Sequence, residues 1–388
     1  MTTMTRVDTS RNPSTQSDPG TAVDITPASS ASPQDPQIRE VVGGVDTHRD
    51  EHVAAVIDEL GRLLGIASFP ADLPGYAGLL SWMRSLGQVR TIGIEGTGAY
   101  GAGLARYLAL HVDTGTELVE IDRPDRKTRR RRGKSDPIDA EAAARTALGR
   151  VCTGTPKIRD GRVESLRNLR VARRSAVEQR ADVVRQMKSL IVTAPDEVRA
   201  HLQGLSLAKL VRTCAALRPD RGRVDHPAQA VKVALRSLAH RYDHLSAEIA
   251  DLETLIAPLV KAINPWLLAL NGVGPDCAGQ FLVTAGENPE RIHSEPAFAM
   301  LCGAAPIPAS SGQTRRMRLN RGGDRQANAA LYRVALSRLR WDPRSQDYIN
   351  RRTTQDHLSN TEAIRCLKRY IAREIYTALL TPQPHDSP

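Results

Sequence analysis

Apolar and polar positions change rhythm along the chain, and each change marks a different kind of structure. From Glu40 onward, "EVVGGVDTHRDEHVAAVIDELGRLLGIASF" holds three short β-prone runs, 40–46, 52–57 and 62–68, separated by polar or glycine-containing turns. "LPGYAGLLSWMRSLG" then has the spacing of a helix that ends at Gly87. A fourth strand is expected over 91–95, a helix over "GLARYLALHV", a fifth strand over 117–122 and another helix from about Pro137. Strands alternating with helices predict a mixed sheet with helices packed on it.

From about 160 to 262 the rhythm becomes that of long helices. Leu235, Leu238, Tyr242, Leu245, Ile249, Leu252, Ile256 and Leu259 alternate spacings of three and four, a heptad seam. An earlier helix, about 162–192, carries Val184, Met187 and Ile191 at similar spacing among many arginines. The seam fits an intramolecular helical hairpin and a dimerising coiled coil equally, and both hold if the hairpins of two chains pack together. Self-association through this seam is expected, as a homodimer that assembles further into a tetramer.

The segment 264–378 opens with "NPWLLALNGVGPDCAGQFLVTAG" and closes with two helices, "ANAALYRVALSRLR" and "NTEAIRCLKRYIAREIYTALL". Gly272 and Gly274 lie between two helical patterns at the spacing of a helix-hairpin-helix, where glycines let backbone N–H groups approach a phosphate. A plain glycine-rich connection is the alternative. Residues 1–38 are rich in Ser, Thr, Pro, Asp and Gln and bury too little apolar surface to offset ordering entropy, so they are expected to be disordered. Residues 379–388 read as a frayed tail. The organisation expected is thus a tail over 1–38, an α/β catalytic domain over 39–155, a helical coiled-coil region over 160–262, a mostly α-helical C-terminal domain over 264–378 and a second tail.

Charge sharpens this picture. The formal net charge is +11 and the basic residues are clustered, the footprint of a phosphate-rich partner. Aromatic residues make up only 4%, which argues against base recognition by a stacking platform. Five cysteines, Cys152, Cys214, Cys277, Cys302 and Cys366, form no close pair, which speaks against a disulfide framework or a zinc site. No apolar run is long enough to span a membrane and no signal-peptide core is present, so a cytoplasmic protein is expected.

Candidate chemistry rests on acidic residues. Asp46 ends the apolar run "VVGGVD" and Glu95 ends "TIGIE". An acidic group at the end of a central strand is costly unless it is paired or binds a cation. Asp136 and Asp139 stand three apart in "KSDPIDAEAAA", so both project from the first turn of a helix. Asp136 is also a good N-cap and Asp139 complements the helix dipole, roles that do not exclude metal binding. Three or four carboxylates converging from separate elements suit magnesium or manganese and phosphodiester chemistry. Arg126, Lys127, Arg129, Arg130, Arg131, Arg132 and Lys134 precede the aspartate pair and read as a phosphate-binding loop. A second basic loop, "AAPIPASSGQTRRMRLNRGG", holds Ser310, Ser311, Arg315, Arg316, Arg318 and Arg321. No histidine stands near its serines as an obvious base, so a His-driven hydrolase triad is unsupported.

The blocks "GGVDTH", "GIEGTGAYG" and "KSDPIDAEAAA", in this order, resemble those of the DEDD-type transposases of the insertion sequence 110 family. The resemblance covers about 40–378. It implies an N-terminal domain of the RuvC-like, RNase H-like fold and a metal-binding tetrad of Asp46, Glu95, Asp136 and Asp139. The loop around Ser311 resembles the family's C-terminal transposase block, whose serine before the glycine is implicated in a covalent link to DNA; Ser311 matches that position, with Ser310 adjacent. The resemblance further implies breakage and rejoining of donor and target DNA, and a structured guide RNA that pairs with both. A junction-resolving endonuclease using only the carboxylates is the alternative, and a non-catalytic nucleic-acid-binding protein a third reading.

Overall fold

The computed structural model describes residues 39–121, 135–150, 153–310, 312 and 317–381. The N-terminal tail, the run from Arg126 to Lys134, Ser311, Arg315, Arg316 and most of the C-terminal tail lie outside the described residues. The chain divides into two compact units, with the boundary between Pro156 and Lys157.

The first unit is built on a six-stranded mixed sheet. Its strands are β1 (Glu40–Thr47), β2 (Glu51–Asp58), β3 (Leu63–Pro70), β4 (Gln88–Glu95), β5 (Glu117–Ile121) and a short β6 (Thr153–Gly154), in spatial order 3-2-1-4-5-6. β1 runs antiparallel to β2 and parallel to β4, and β4 is parallel to β5. β1 and β4 therefore have neighbours on both edges, and both their faces are covered. That explains their near-continuous apolar sequences, since a strand buried on both sides has no polar face to alternate with.

Among the described residues three helices cover the sheet: α1 (Leu73–Leu86), α2 (Ala102–His111) and α3 (Asp136–Leu148). Asp72 caps α1 by accepting a hydrogen bond from the Gly75 backbone N–H at 2.8 Å. Leu79, Leu80 and Met83 of α1 and Leu104 and Leu108 of α2 pack against Val41, Val45, Ile92 and Ile94 on one face. On the other face Ala140, Ala143, Ala144 and Ala147 of α3 meet Val42, Ala55, Val119 and Ile121. A mixed sheet with helices on both sides fits an α/β RNase H-like domain.

The regular structure among the described residues of the second unit is helical apart from one tiny hairpin. Its frame is two long helices, α4 (Arg162–Thr193) and α7 (Pro227–Ile263), with α5 (Asp196–Leu202) and α6 (Leu207–Ala215) in the connection. Arg162 reaches the Ala262 carbonyl, Arg173 pairs with Glu253, and Arg180 donates to Ser246, so the two long helices run antiparallel. The seam residues Leu235, Leu245 and Ile249 pack on Met187, Ile191 and Val183 within the same chain. Val183, rather than Val184, is the more deeply buried, at 2% exposed. The seam of α7 is thus occupied along this stretch by α4, which satisfies its apolar stripe inside one chain.

Beyond it, α8 (Pro265–Ala269), α9 (Pro275–Ala285), α10 (Glu295–Leu301), α11 (Arg325–Trp341), α12 (Pro343–Thr354) and α13 (Asn360–Leu380) close around Phe281, Phe298, Leu331 and Ile371. β7 (Ile307–Pro308) pairs with β8 (Met317–Arg318). A reciprocal capping box of Ser359 and Glu362 starts α13. This helix spans the whole of the quoted segment to Leu380, with Leu379 buried, so it passes the domain boundary expected at 378 by two residues. No helix among the described residues is long and apolar enough to cross a membrane.

Candidate metal centre

The centre forms at the carboxyl ends of β1 and β4. Val45 and Ile94 are register partners in this parallel pair, so Asp46 and Glu95, the next residues, end adjacent strands side by side. The Thr47 hydroxyl donates to the Glu95 backbone carbonyl at 2.8 Å and ties the two ends together.

Two glycines decide what lies above them. A Cβ added at Gly44 would stand 2.1 Å from the Ala144 backbone nitrogen and 2.4 Å from the Ala140 carbonyl oxygen. One added at Gly93 would stand 2.9 Å from the Ala147 Cβ and 3.0 Å from the Ala143 carbonyl oxygen. The backbone of α3 therefore rests directly on the sheet, glycine against alanine. Residues two apart on a strand share a face, so Asp46 and Glu95 project on the side that α3 covers. The first turn of α3 supplies Asp136 and Asp139 on that same side.

The side chains meet through His48. Its Nε2 lies 3.1 Å from Asp46 Oδ2 and 3.3 Å from Asp136 Oδ1. One ligand atom from each of Asp46, His48 and Asp136 lies within 4.8 Å of the others. Asp46 and Asp139 are buried, at 7% and 2% exposed, whereas Asp136 and His48 are half-open. Burial raises the Asp46 pKa, the His48 ring opposes that shift, and the Asp139 and Asp136 carboxylates add to it. Asp46 is thus a carboxylate whose surroundings disfavour its charge, the condition a bound cation reverses. Two aspartate oxygens and an imidazole nitrogen in reach of one point suit a divalent ion.

Asp136 is the first helical residue, not the N-cap. Ser135 holds the cap position and makes no side-chain cap bond, which leaves the Asp136 carboxylate turned to His48. Asp46, Asp136 and Asp139 are brought together. Glu95 ends the neighbouring strand but is outside the compact Asp–His–Asp group. His48 is the residue that sequence reasoning passed over. Its signal was the "DTH" that follows the strand, because a histidine two positions after a strand-end aspartate falls on the same side.

The other predicted contacts lie in the second unit. Gly272, with φ at +74°, and Gly274 connect α8 to α9, and Gly274 occupies the N-cap of α9. Asp276 in the first turn of α9 is held by Arg170, Arg173 and Arg333 at 2.8, 3.0 and 3.0 Å. The loop between β7 and β8 carries Ser310 and Gly312, both exposed, and Arg318 and Arg321 are exposed just beyond it.

Comparison with known proteins gives two matches to family models, one described as "Transposase" over residues 43–194 and one as "Transposase IS116/IS110/IS902 family" over 264–350. The chain belongs to the insertion sequence 110 family of transposases. The transposase is also 26% identical over 378 residues to the insertion element IS900 uncharacterized 42 kDa protein of Mycobacterium paratuberculosis, covering 85% of this chain and 93% of that protein. It is 30% identical over 143 residues to the insertion element IS110 uncharacterized 43.6 kDa protein of Streptomyces coelicolor, covering 35% of this chain and 34% of that one. The first match spans Asp46, Glu95, Asp136 and Asp139, and the second spans Gly272, Gly274 and the β7–β8 loop. The transposase acts on DNA, and its family is one of nucleic-acid-cleaving enzymes.

Proposed function

We propose that the transposase breaks and rejoins DNA strands with a divalent metal ion, magnesium or manganese, held by Asp46, Asp136, Asp139 and Glu95. The observation that carries this reading is the convergence of Asp46, His48 and Asp136 at the end of the central strand, with the Asp46 pKa raised by burial and by its acidic neighbours. When bound there, such an ion activates an attacking hydroxyl and neutralises charge on the leaving oxygen of a phosphodiester.

The residues divide the remaining work. Asp46 and Asp139, being buried, keep fixed positions, while the half-open Asp136 faces the side from which a strand arrives. His48 orients both Asp46 and Asp136 through one nitrogen, Nε2. The arginine run Arg126–Arg132 and Lys134, with Arg315, Arg316, Arg318 and Arg321, binds phosphates, and Gly272 and Gly274 offer backbone N–H groups to another. The Ser311 hydroxyl, or that of Ser310, attacks phosphorus. Its proton passes to the departing sugar oxygen, and a hydroxyl of the second strand later reverses the link. A guide RNA paired with donor and target DNA carries sequence specificity. The α4–α7 hairpins of two chains pack as a coiled coil, giving a dimer that doubles on nucleic acid.

The test is a recombination assay with magnesium on the wild type, Asp136→Ala and Ser311→Ala. Loss of all strand cleavage in Asp136→Ala, and loss of both cleavage and joining in Ser311→Ala, are expected. Full cleavage by Ser311→Ala would favour the carboxylate-only endonuclease, and full activity of Asp136→Ala would end the metal reading.

A further inference from the structure

The second unit holds a cavity of about 700 Å³ between the β7–β8 hairpin, α12 and α13. Seven of its lining residues are Lys or Arg and one, Glu362, is acidic. Glu362 is already engaged with Ser359 in the cap of α13. Arg352 pairs with Asp356, and Arg369 and Arg373 pair with Glu295. Arg318, Arg351, Arg365 and Lys368 make no ion pair among the described residues.

Lys368 is the informative one. It is 6% exposed, its ammonium donates to Asn328 Oδ1 at 2.6 Å, and no carboxylate among the described residues pairs with it. A buried ammonium is costly without a counter-charge, and Arg365 beside it raises that cost. An anion in the cavity supplies the missing charge.

Two tyrosines say what kind of anion. Tyr348 and Tyr370 meet edge-on at 5.4 Å in the lining, and Tyr370 is half exposed. Guanidinium groups of Arg351 and Arg373 lie 5.6 and 5.8 Å from the two ring centres. Aromatic faces interleaved with cations bind unpaired bases by stacking while the cations follow the phosphates. A duplex presents its phosphates on a stiff outer surface and cannot lower one onto a recessed ammonium. A flexible single strand can.

We infer that this groove binds unpaired nucleotides, with a phosphate against Lys368 and Arg365 and a base on Tyr370. It concerns a different site from the metal centre, and it rests on the proposed function only for the class of ligand.

The experiment uses the full-length Asp46→Asn protein, in which strand cleavage is disabled and binding is read alone. Single-stranded DNA containing iododeoxyuridine, and RNA of the same sequence containing iodouridine, are crosslinked by light and the attachment points mapped by mass spectrometry. Crosslinks on peptides holding Tyr348 or Tyr370 are expected, and the arm that gives them names the strand. Tyr370→Ala weakens single-strand binding about ten-fold. Lys368→Met, and the surface variant Arg365→Gln that leaves the core untouched, each lower the salt slope of binding by about 0.7. Crosslinks in neither arm within the groove, or unchanged salt slopes in both variants, would overturn the inference. Intact groove binding in Asp46→Asn alongside a failed metal test would separate the two readings.

Discussion

Gly44→Ala tests whether the close seat of α3 on the sheet is what assembles the acidic centre. The added methyl would lie 2.1 Å from the Ala144 nitrogen and 2.4 Å from the Ala140 oxygen, where ordinary contact begins near 3.4 Å. Both obstacles are helix backbone, so no rotamer change relieves them, and α3 must retreat by about 1 Å. Overpacking of this kind costs about 1–3 kcal/mol, and on a domain of this size about 2 kcal/mol shifts the melting temperature by on the order of 10 °C. Because Asp136 and Asp139 ride on the displaced helix, the rate effect exceeds the stability effect. A misplacement of about 1 Å at a reacting centre costs on the order of a hundred-fold. Gly43→Ala is the control. Its methyl points to the opposite face, where the flexible end of Met83 lies 2.7 Å away and Ile92 Cγ1 is at ordinary contact, 3.7 Å. Thermal melts and cleavage rates of both variants, measured below either melting point, decide the matter. Gly44→Ala matching Gly43→Ala in cleavage rate would refute the argument.

Three further outcomes are expected. Asp46→Asn stabilises the metal-free protein at neutral pH; the wild-type group has a raised pKa, so its stability penalty grows as pH rises above the ordinary value of 3.8 and vanishes below it. Melts of both proteins in chelator across pH check this, and a wild type more stable than the variant at neutral pH contradicts it. His48→Ala weakens manganese binding by about ten-fold, measured by titration calorimetry, because the imidazole orients two carboxylates; unchanged affinity would remove His48 from the site. Asp276→Ala costs about 3 kcal/mol by leaving Arg170, Arg173 and Arg333 without their shared partner. The Asp276 pKa is lowered, so this contribution is present at neutral pH and fades as pH falls below 3.8; a denaturant midpoint equal to wild type at pH 7 would count against it.

Local pattern determined much of the first unit. Alternation of short apolar runs with helical spacing is set by residues a few positions apart, so five strands and three helices were legible, with ends moved by a few residues. β4 starts at Gln88, three residues before the expected edge, because it pairs with Glu40 at the mouth of β1. β6 has two residues and no pattern of its own; only its pairing with Glu120 and Ile121 makes it a strand.

What the sequence could not determine is distance across the fold. It offered strand-end acids and a helix-start pair, but their meeting depends on Gly44 and Gly93 meeting a row of alanines about 50 to 100 positions away, a match between surfaces that no window along the chain contains. His48 became a ligand candidate only when Asp136 arrived beside it. The seam of α7 was plain in the sequence, yet its partner was decided by the reversal between the long helices, which brings Met187 to Leu235 within one chain. Likewise, Lys368 is an ordinary helical lysine in sequence. Its burial, with the ammonium on Asn328, arises where α13 packs on α11, and charge without a counter-charge is a property of that packing alone.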